Sequence, residues 1–180
     1  MAITYIAIAT VTVGSGGASS IDFTSIPGTY TDLLLLLSSR QTATAESPFA
    51  NIKLQFNGDT STSNYSARGL FGSGSAATSG SYGTGNYGMI LYNYSNAGNT
   101  TTSTFANNIY YIPNYTSSNK KSVSIDSVTE NNATGAQAAL TAGLWEGTSA
   151  ITSIKLDPTF SAGSTFTQYS TATLYGILKA

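Results

Sequence analysis

The fold class of this chain is decided by residues 52–59, which read IKLQFNGD. Apolar and polar residues alternate in this stretch, which is the period-two pattern of a strand with one buried face. The Asn-Gly pair that follows is the strongest short-range signal for a tight turn, so the strand ends there. We therefore expect Ile52, Leu54 and Phe56 to face a core. Lys53 and Gln55 should face solvent.

The same alternation and the same turn signals divide the rest of the chain into short strands. Residues 33–37 are five consecutive leucines between turn signals, which favours a central strand that is buried on both faces. A leucine-rich helix is the alternative, because leucine is a strong helix former. Further strand candidates are 65–71, 89–94, 105–112, 123–129, 140–145, 151–156 and 166–178.

This spacing of strands and turns predicts one all-β domain over residues 1–180. We expect an antiparallel β-sandwich, jelly-roll-like, with about eight to ten strands and little or no helix. Residues 72–88 are rich in Gly, Ser and Thr, and we expect an extended surface loop there. Residues 1–13 alternate like a strand, and they are either the first strand of the sandwich or an arm that anchors the protein to a partner. They lack the basic start of a signal peptide, so we expect synthesis in the cytoplasm without export.

Composition excludes most catalytic and metal chemistry. The chain has no histidine, no cysteine and only 8% charged residues. Nucleophile–histidine arrangements are therefore impossible, and the usual zinc ligands are missing. The seven Lys and Arg residues are scattered and the net charge is -1, so we expect no nucleic-acid partner. The longest aliphatic run, 33–37, is far shorter than the ~18 residues of a membrane span. We predict no enzyme activity, no catalytic, cofactor-binding or metal-binding residue, no cofactor and no membrane partner.

Three groups of residues remain to be weighed against that expectation. The eight carboxylates include Glu130 and Glu146, but no paired motif of the kind a glycosidase needs. Residues 57–59 (Asn-Gly-Asp) could offer oxygens to calcium, although a turn is the favoured interpretation. Tyr110, Tyr111 and Tyr115 flank a proline and could stack on sugars or on a partner protein. We favour a structural role for them, since aromatic residues are common in strands.

Several stretches also share an order with a known group of proteins. They are 25–33 (SIPGTYTDL), 54–59 (LQFNGD) with 64–66 (NYS), 112–115 (IPNY), 144–145 (LW) with 150–154 (AITSI), and 163–164 (GS) with 174–177 (LYGI). In this order the chain resembles small virion proteins of tailed bacteriophages, especially marine and cyanobacterial ones. The resemblance covers most of the chain and transfers no catalytic residue. It implies that the protein is a component of the phage particle.

Two structural roles in a particle fit these observations, and a third role belongs to another class. The first is a capsid decoration (cement) protein, a homotrimer that binds the major capsid protein on the capsid exterior and stabilises the assembled shell. The second is a tail fibre or receptor-binding component that contacts host surface glycans. The third is a carbohydrate-binding or depolymerising domain. A short chain without room for a stalk, and an uncharged surface suited to many hydrogen-bonded contacts, favour decoration.

Overall fold

A computed structural model of the chain describes residues 4–43, 49–82, 88–89, 92–132, 135–158 and 163–178. These residues form twelve strands and no helix. The strands are β1 (Thr4–Thr12), β2 (Ile21–Phe23), β3 (Asp32–Ser39), β4 (Phe49–Phe56), β5 (Tyr65–Gly72), β6 (Ala77–Tyr82), β7 (Tyr94–Asn96), β8 (Ala106–Ile112), β9 (Lys121–Thr129), β10 (Gln137–Trp145), β11 (Ile154–Pro158) and β12 (Thr171–Leu178).

The strands form two antiparallel sheets that pack as a sandwich. The large sheet has eight strands in the order β1-β12-β3-β8-β9-β10-β5-β6, and the small sheet has four in the order β2-β11-β4-β7. The chain crosses repeatedly between the two sheets, so strands far apart in sequence become neighbours. The predicted all-β antiparallel sandwich is confirmed, with twelve described strands where about eight to ten were expected from the turn spacing.

The leucine run forms β3, an inner strand of the large sheet that pairs with β12 on one side and with β8 on the other. Its helix alternative is wrong. Leu33, Leu35 and Leu37 are buried in the core between the sheets. Leu34 is half-buried and Leu36 is 36% exposed, so the expectation of burial on both faces is wrong. The small sheet covers the face of β3 that carries Leu33, Leu35 and Leu37. Leu34 and Leu36 lie on the opposite face of the strand.

The alternating stretch 52–56 lies in β4, an inner strand of the small sheet. Ile52, Leu54 and Phe56 are fully buried in the core, as predicted. Lys53 is half-buried and forms an ion pair with Asp157 at 3.0 Å. Gln55 is buried, which corrects the expectation that it faces solvent. The reason is that residues 88–89 lie beside β4: Met89 exchanges two backbone hydrogen bonds with Leu54, and Gly88 lies against the Gln55 side chain.

The segment expected to be a loop, 72–88, contains a strand. Residues 77–82 form β6, which pairs with β5 and is the last strand of the large sheet; residues 83–87 lie outside the described part. The Tyr92 ring lies against Gly69 of β5 and Gly80 of β6, where a Cβ atom would meet it. Glycine permits this close approach of a ring to the backbone. The glycine at position 80 of this low-complexity segment therefore allows the Tyr92 ring to pack against β6.

Of the strand expected over 89–94, residues 90–91 lie outside the described part. Met89 forms a single bridge with Leu54, and β7 begins at Tyr94. The structure describes residues 4–12 of the 1–13 segment as β1, so its strand interpretation is correct. β1 nevertheless differs from the other strands. Only Ile8 and Val11 are partly buried, and the remaining residues of the strand are exposed.

Candidate functional site

Most of the stretches quoted for the resemblance meet at one end of the sandwich, whereas 163–164 lies at the other end, near residues 41–42. Four connections lie at the first end: 24–31, 57–64 and 146–153 join strands of different sheets, and 113–120 joins β8 and β9 of the large sheet. We call this set of connections the cap. Backbone hydrogen bonds tie them together: Ile26 donates to Thr152, Ile151 donates to Tyr115, and Glu146 donates to Asn64. Residues far apart in the sequence are thus held in one structure.

Asn57 connects two of these loops through its side chain. Asn57 and Gly58 both have positive φ, 51° and 65°, as a type I′ turn requires. The Asn57 Oδ1 accepts the backbone N–H groups of Thr152 at 2.8 Å and Ser153 at 3.1 Å, and its Nδ2 donates to the Ala150 carbonyl at 2.8 Å. The turn prediction is confirmed, and the asparagine also holds the 146–153 connection in place.

Asp59 uses its carboxylate to organise the same end. Its Oδ2 accepts hydrogen bonds from Trp145 Nε1 at 2.7 Å and from Asn64 Nδ2 at 2.8 Å, and its Oδ1 accepts from the Ser61 N–H at 2.8 Å. Burial tends to raise the pKa of Asp59, but these three hydrogen bonds outweigh it and lower the pKa below its usual value. Both oxygens thus serve N–H donors and are not arranged for calcium. The described residues contain no group of three His, Cys, Asp or Glu side chains that could hold a metal ion.

The three tyrosines near Pro113 are structural. Tyr115 is fully buried; its hydroxyl donates to the Pro27 carbonyl and accepts the Tyr30 N–H at 3.4 Å. Tyr110 is also fully buried and donates to Asn93 Oδ1 at 2.6 Å. Tyr111 is half-buried and donates to the buried carboxylate of Asp32 at 2.7 Å. Their interpretation as core residues is confirmed for Tyr110 and Tyr115, and none of the three is a free stacking platform.

Trp145 closes the cap from the side of the large sheet. It is buried, and its ring centroid lies 5.6 Å from that of Phe56. The ammonium of Lys121 lies 5.9 Å from the Trp145 ring centroid and donates to the carbonyls of Ser117, at 2.8 Å, and Asn119. Desolvation lowers the pKa of Lys121. Sequence reasoning missed this buried lysine, because nothing in its neighbourhood distinguishes it from a solvated one.

The two glutamates considered for acid–base chemistry lie far apart. Glu130 directly follows β9 at the end where Thr129 pairs with Gln137, and Glu146 follows β10 at the end where Trp145 pairs with Lys121. A nine-residue strand separates these ends, about 27 Å at the usual rise per residue. Paired glycosidase carboxylates lie about 5–9.5 Å apart. Glu130 and Glu146 therefore cannot act on one glycosidic bond.

With the polar groups of the cap engaged in internal bonds, two surfaces remain as candidates for contact with other molecules. One is the edge formed by β1, and the other is the face of the large sheet that points away from the small sheet. Within the part of the chain that the structure describes, β1 pairs only with β12, and its sequence contains neither charge nor proline. Tyr5 and Ile6 on it are 56% and 37% exposed.

Among the described residues, no helix is long and apolar enough to cross a membrane. Comparisons with protein-family models and with curated proteins find no match for the chain.

Proposed function

We propose that this chain is a capsid decoration protein of a tailed bacteriophage. As a homotrimer it binds the major capsid protein on the outside of the assembled head and stabilises the shell. The resemblance of its ordered motifs to small phage virion proteins supports this role. A second support is its composition: few charges and many hydroxyl groups suit a surface that makes repeated hydrogen-bonded contacts.

The observation that carries the proposal is the open edge of β1. An edge strand presents unpaired N–H and C=O groups, and natural proteins usually block it with lysine, proline or a covering loop. Thr4–Thr12 has no lysine and no proline, and most of its residues are exposed. One bulge, between Ala7 and Ala9, interrupts its pairing with β12. Such an edge can add to a strand of another protein, with backbone hydrogen bonds providing affinity and exposed side chains providing specificity.

Exposed side chains on β1 supply the apolar part of this contact. Tyr5 and Ile6 pair across to Ile177 and Gly176 of β12, and the exposed Leu178 lies opposite Thr4. Ile6 and Leu178 thus lie on one face of the sheet beside the strand edge, and Tyr5 lies on the other face. A capsid subunit that offers its own strand edge and an apolar pocket beside it would match both features.

The test is co-sedimentation of the purified protein with shells assembled from the major capsid protein alone. We expect binding to assembled shells and not to free subunits, together with increased resistance of the shells to heat, because a ligand of the assembled state stabilises it. Ile6→Lys places a charge on the edge and should weaken binding by at least about tenfold, as charge protects natural edges. Thr60→Lys adds the same charge at an exposed position in the cap and should bind like the wild type.

Three results would contradict the decoration role. The first is that particles lacking the protein survive heat and osmotic shock as well as complete particles do. The protein could bind host cells or their surface glycans and not shells, which would support the tail fibre or receptor-binding role. It could release sugars from host polysaccharide, with loss of that activity in Glu130→Gln or Glu146→Gln, which would support a depolymerising domain.

A further inference from the structure

The outer face of the large sheet carries aliphatic side chains where a solvated sheet carries polar ones. Five of them are between about a third and a half exposed: Leu36, Leu70, Ile109, Val128 and Leu140 at 36%, 55%, 38%, 42% and 52%. An antiparallel sheet with one free face normally alternates apolar-in with polar-out residues. Apolar side chains that stay exposed together are typical of a surface that contacts another protein.

Four of these five side chains lie in one row across the sheet. Leu36 of β3 pairs with Ile109 of β8, Ile109 pairs with Asp126 of β9, Asp126 pairs with Leu140 of β10, and Leu140 pairs with Leu70 of β5. Neighbouring residues in such a row are about 5 Å apart, so each aliphatic pair forms a continuous surface. The row crosses five adjacent strands.

One part of this face is concave. A shallow depression of about 610 Å³ lies over β10, β5 and β6, with Leu70, Leu140, Ala142 and Arg68 along its sides. The pair Leu36–Ile109 lies on the opposite side of Asp126 in the same row. The face thus contains both exposed aliphatic side chains and a hollow of a size that accepts them.

Charge on the outer face is sparse and of both signs. Among the described strand residues that alternate onto this face, the exposed charged side chains are Arg68 and Asp126. Arg68 lies on β5, directly across from Ala142, and Asp126 lies on β9, directly across from Leu140. They therefore flank β10 on its two sides. The separation is about 10 Å across the strands and about 7 Å along them.

We propose that this face packs against the same face of another copy of this chain, with Leu140 near the symmetry axis. A twofold rotation about an axis near β10 places the β5 side of that strand in one copy against the β9 side in the other copy. Arg68 of one copy then meets Asp126 of its partner about a twofold axis, so this contact joins two copies. The opposite charges on the two sides of β10 make the face complementary to itself.

The size of the face is sufficient for a stable contact. Eight strands spaced about 4.8 Å apart and about 26 Å long give a face of roughly 900 Å² in projection. A standard protein–protein interface covers about 800 Å² on each partner. The inference rests on the proposed self-association, assigns a surface to one contact between two copies, and does not require binding to a capsid.

The experiment is sedimentation equilibrium of the full chain, from about 1 to 200 µM, with matched variants. We expect reversible association of the wild type in this range, which is typical of an interface of standard size without extensive hot spots. Leu140→Lys should weaken association by at least about tenfold, since it replaces an aliphatic side chain near the axis with a charge and gives Asp126 a partner within its own copy. Leu178→Ser removes a leucine that is 38% exposed beside β1 and outside the row, and it should associate like the wild type.

The decisive variants exchange the two charges. Arg68→Glu and Asp126→Arg should each weaken association by about fivefold or more, because each places like charges together. The double variant Arg68→Glu/Asp126→Arg should restore association to near the wild-type value, which happens only if the two positions face each other between copies. Thermal unfolding of every variant checks that the fold is unchanged.

Several results would overturn this inference. They are a wild-type protein that stays monomeric up to about 200 µM, single charge variants that associate normally, or a double variant that is no better than the single ones. A protein that is monomeric in solution and binds capsid shells through Leu140 would overturn the self-contact while leaving the decoration role intact. A protein that associates with itself but does not bind shells would support the self-contact and contradict the decoration role.

Discussion

The cap and the outer face of the large sheet are built from opposite principles. In the cap, the polar side chains of Asn57, Asp59 and Tyr115 each bind groups from other parts of the chain. On the outer face, Leu140 and Leu70 stand opposite each other at 52% and 55% exposure. The cap has the most distinctive sequence, and its polar side chains are hydrogen-bonded within the chain. The outer face has a sequence that is ordinary for strands, and its leucines are exposed.

This difference shows what distinctive motifs mean in an all-β protein with few charges. Residues such as Asn57 and Asp59 hold loops that have no secondary structure of their own, so few replacements preserve their bonds. An exposed leucine on a strand satisfies the same local pattern as a buried one. Distinctive residues here indicate fold maintenance, and the candidate contact surfaces consist of ordinary strand residues.

The largest expected effect separates two leucines that receive the same change. Leu54→Ala should lower the free energy of unfolding by about 2–5 kcal/mol, the usual cost of a cavity at a fully buried leucine. Leu140→Ala should change it by less than about 0.5 kcal/mol, as for most surface substitutions. Urea denaturation of both variants measures the difference, at a protein concentration low enough to keep the chain monomeric. Equal losses would mean that the outer face is covered in the monomer.

Next in size is the loss of the carboxylate that organises the cap. Asp59→Ala should lower the free energy of unfolding by about 1–3 kcal/mol, because the indole N–H of the buried Trp145 loses its acceptor. Asp22 lies at an exposed position of β2, and Asp22→Ala serves as the matched control with an expected change within about 0.5 kcal/mol. Trp145 fluorescence follows unfolding directly, since this is the single tryptophan of the chain.

The same carboxylate makes part of the stability dependent on pH. The pKa of Asp59 is lowered in the folded protein relative to its ordinary value of 3.8. The unfolded chain therefore binds a proton more readily, and the stabilisation is complete above the ordinary value and lost as the pH falls through the lowered one. The stability difference between wild type and Asp59→Ala should be constant near neutral pH and should narrow below about pH 3.8. A difference that stays unchanged down to pH 2 would contradict the role of the ionised form.

The smallest expected effect concerns the strand found where a loop was expected. A Cβ atom at Gly80 would meet the Tyr92 hydroxyl, whereas at Gly72 the nearest atom is 4.0 Å away. Gly80→Ala should lower the free energy of unfolding by about 1 kcal/mol, since the Tyr92 ring must shift to admit the methyl group. Gly72→Ala should leave it unchanged or slightly raised, because alanine loses less chain entropy on folding. Identical results at both positions would show that Tyr92 does not pack on β6 in solution.

Prediction from the sequence succeeded where local rules act. Ile52, Leu54 and Phe56 lie in the core because period-two alternation places them on one face. The turn at Asn57 forms because its backbone needs positive φ, which asparagine and glycine tolerate. Prediction failed for Gln55 and for β6, since burial there comes from residues 88–89 and from Tyr92, which approach only in the folded chain.

The class of fold follows from local sequence, because turn chemistry and alternation act within a few residues of one another. Which face of each strand is covered depends on how the two sheets pack. A small sheet of four strands closes one side of a large sheet of eight, and leucines on the other side stay exposed. Alternation of apolar and polar residues indicates that a strand has two different faces. Which face is covered depends on which distant strands pack together.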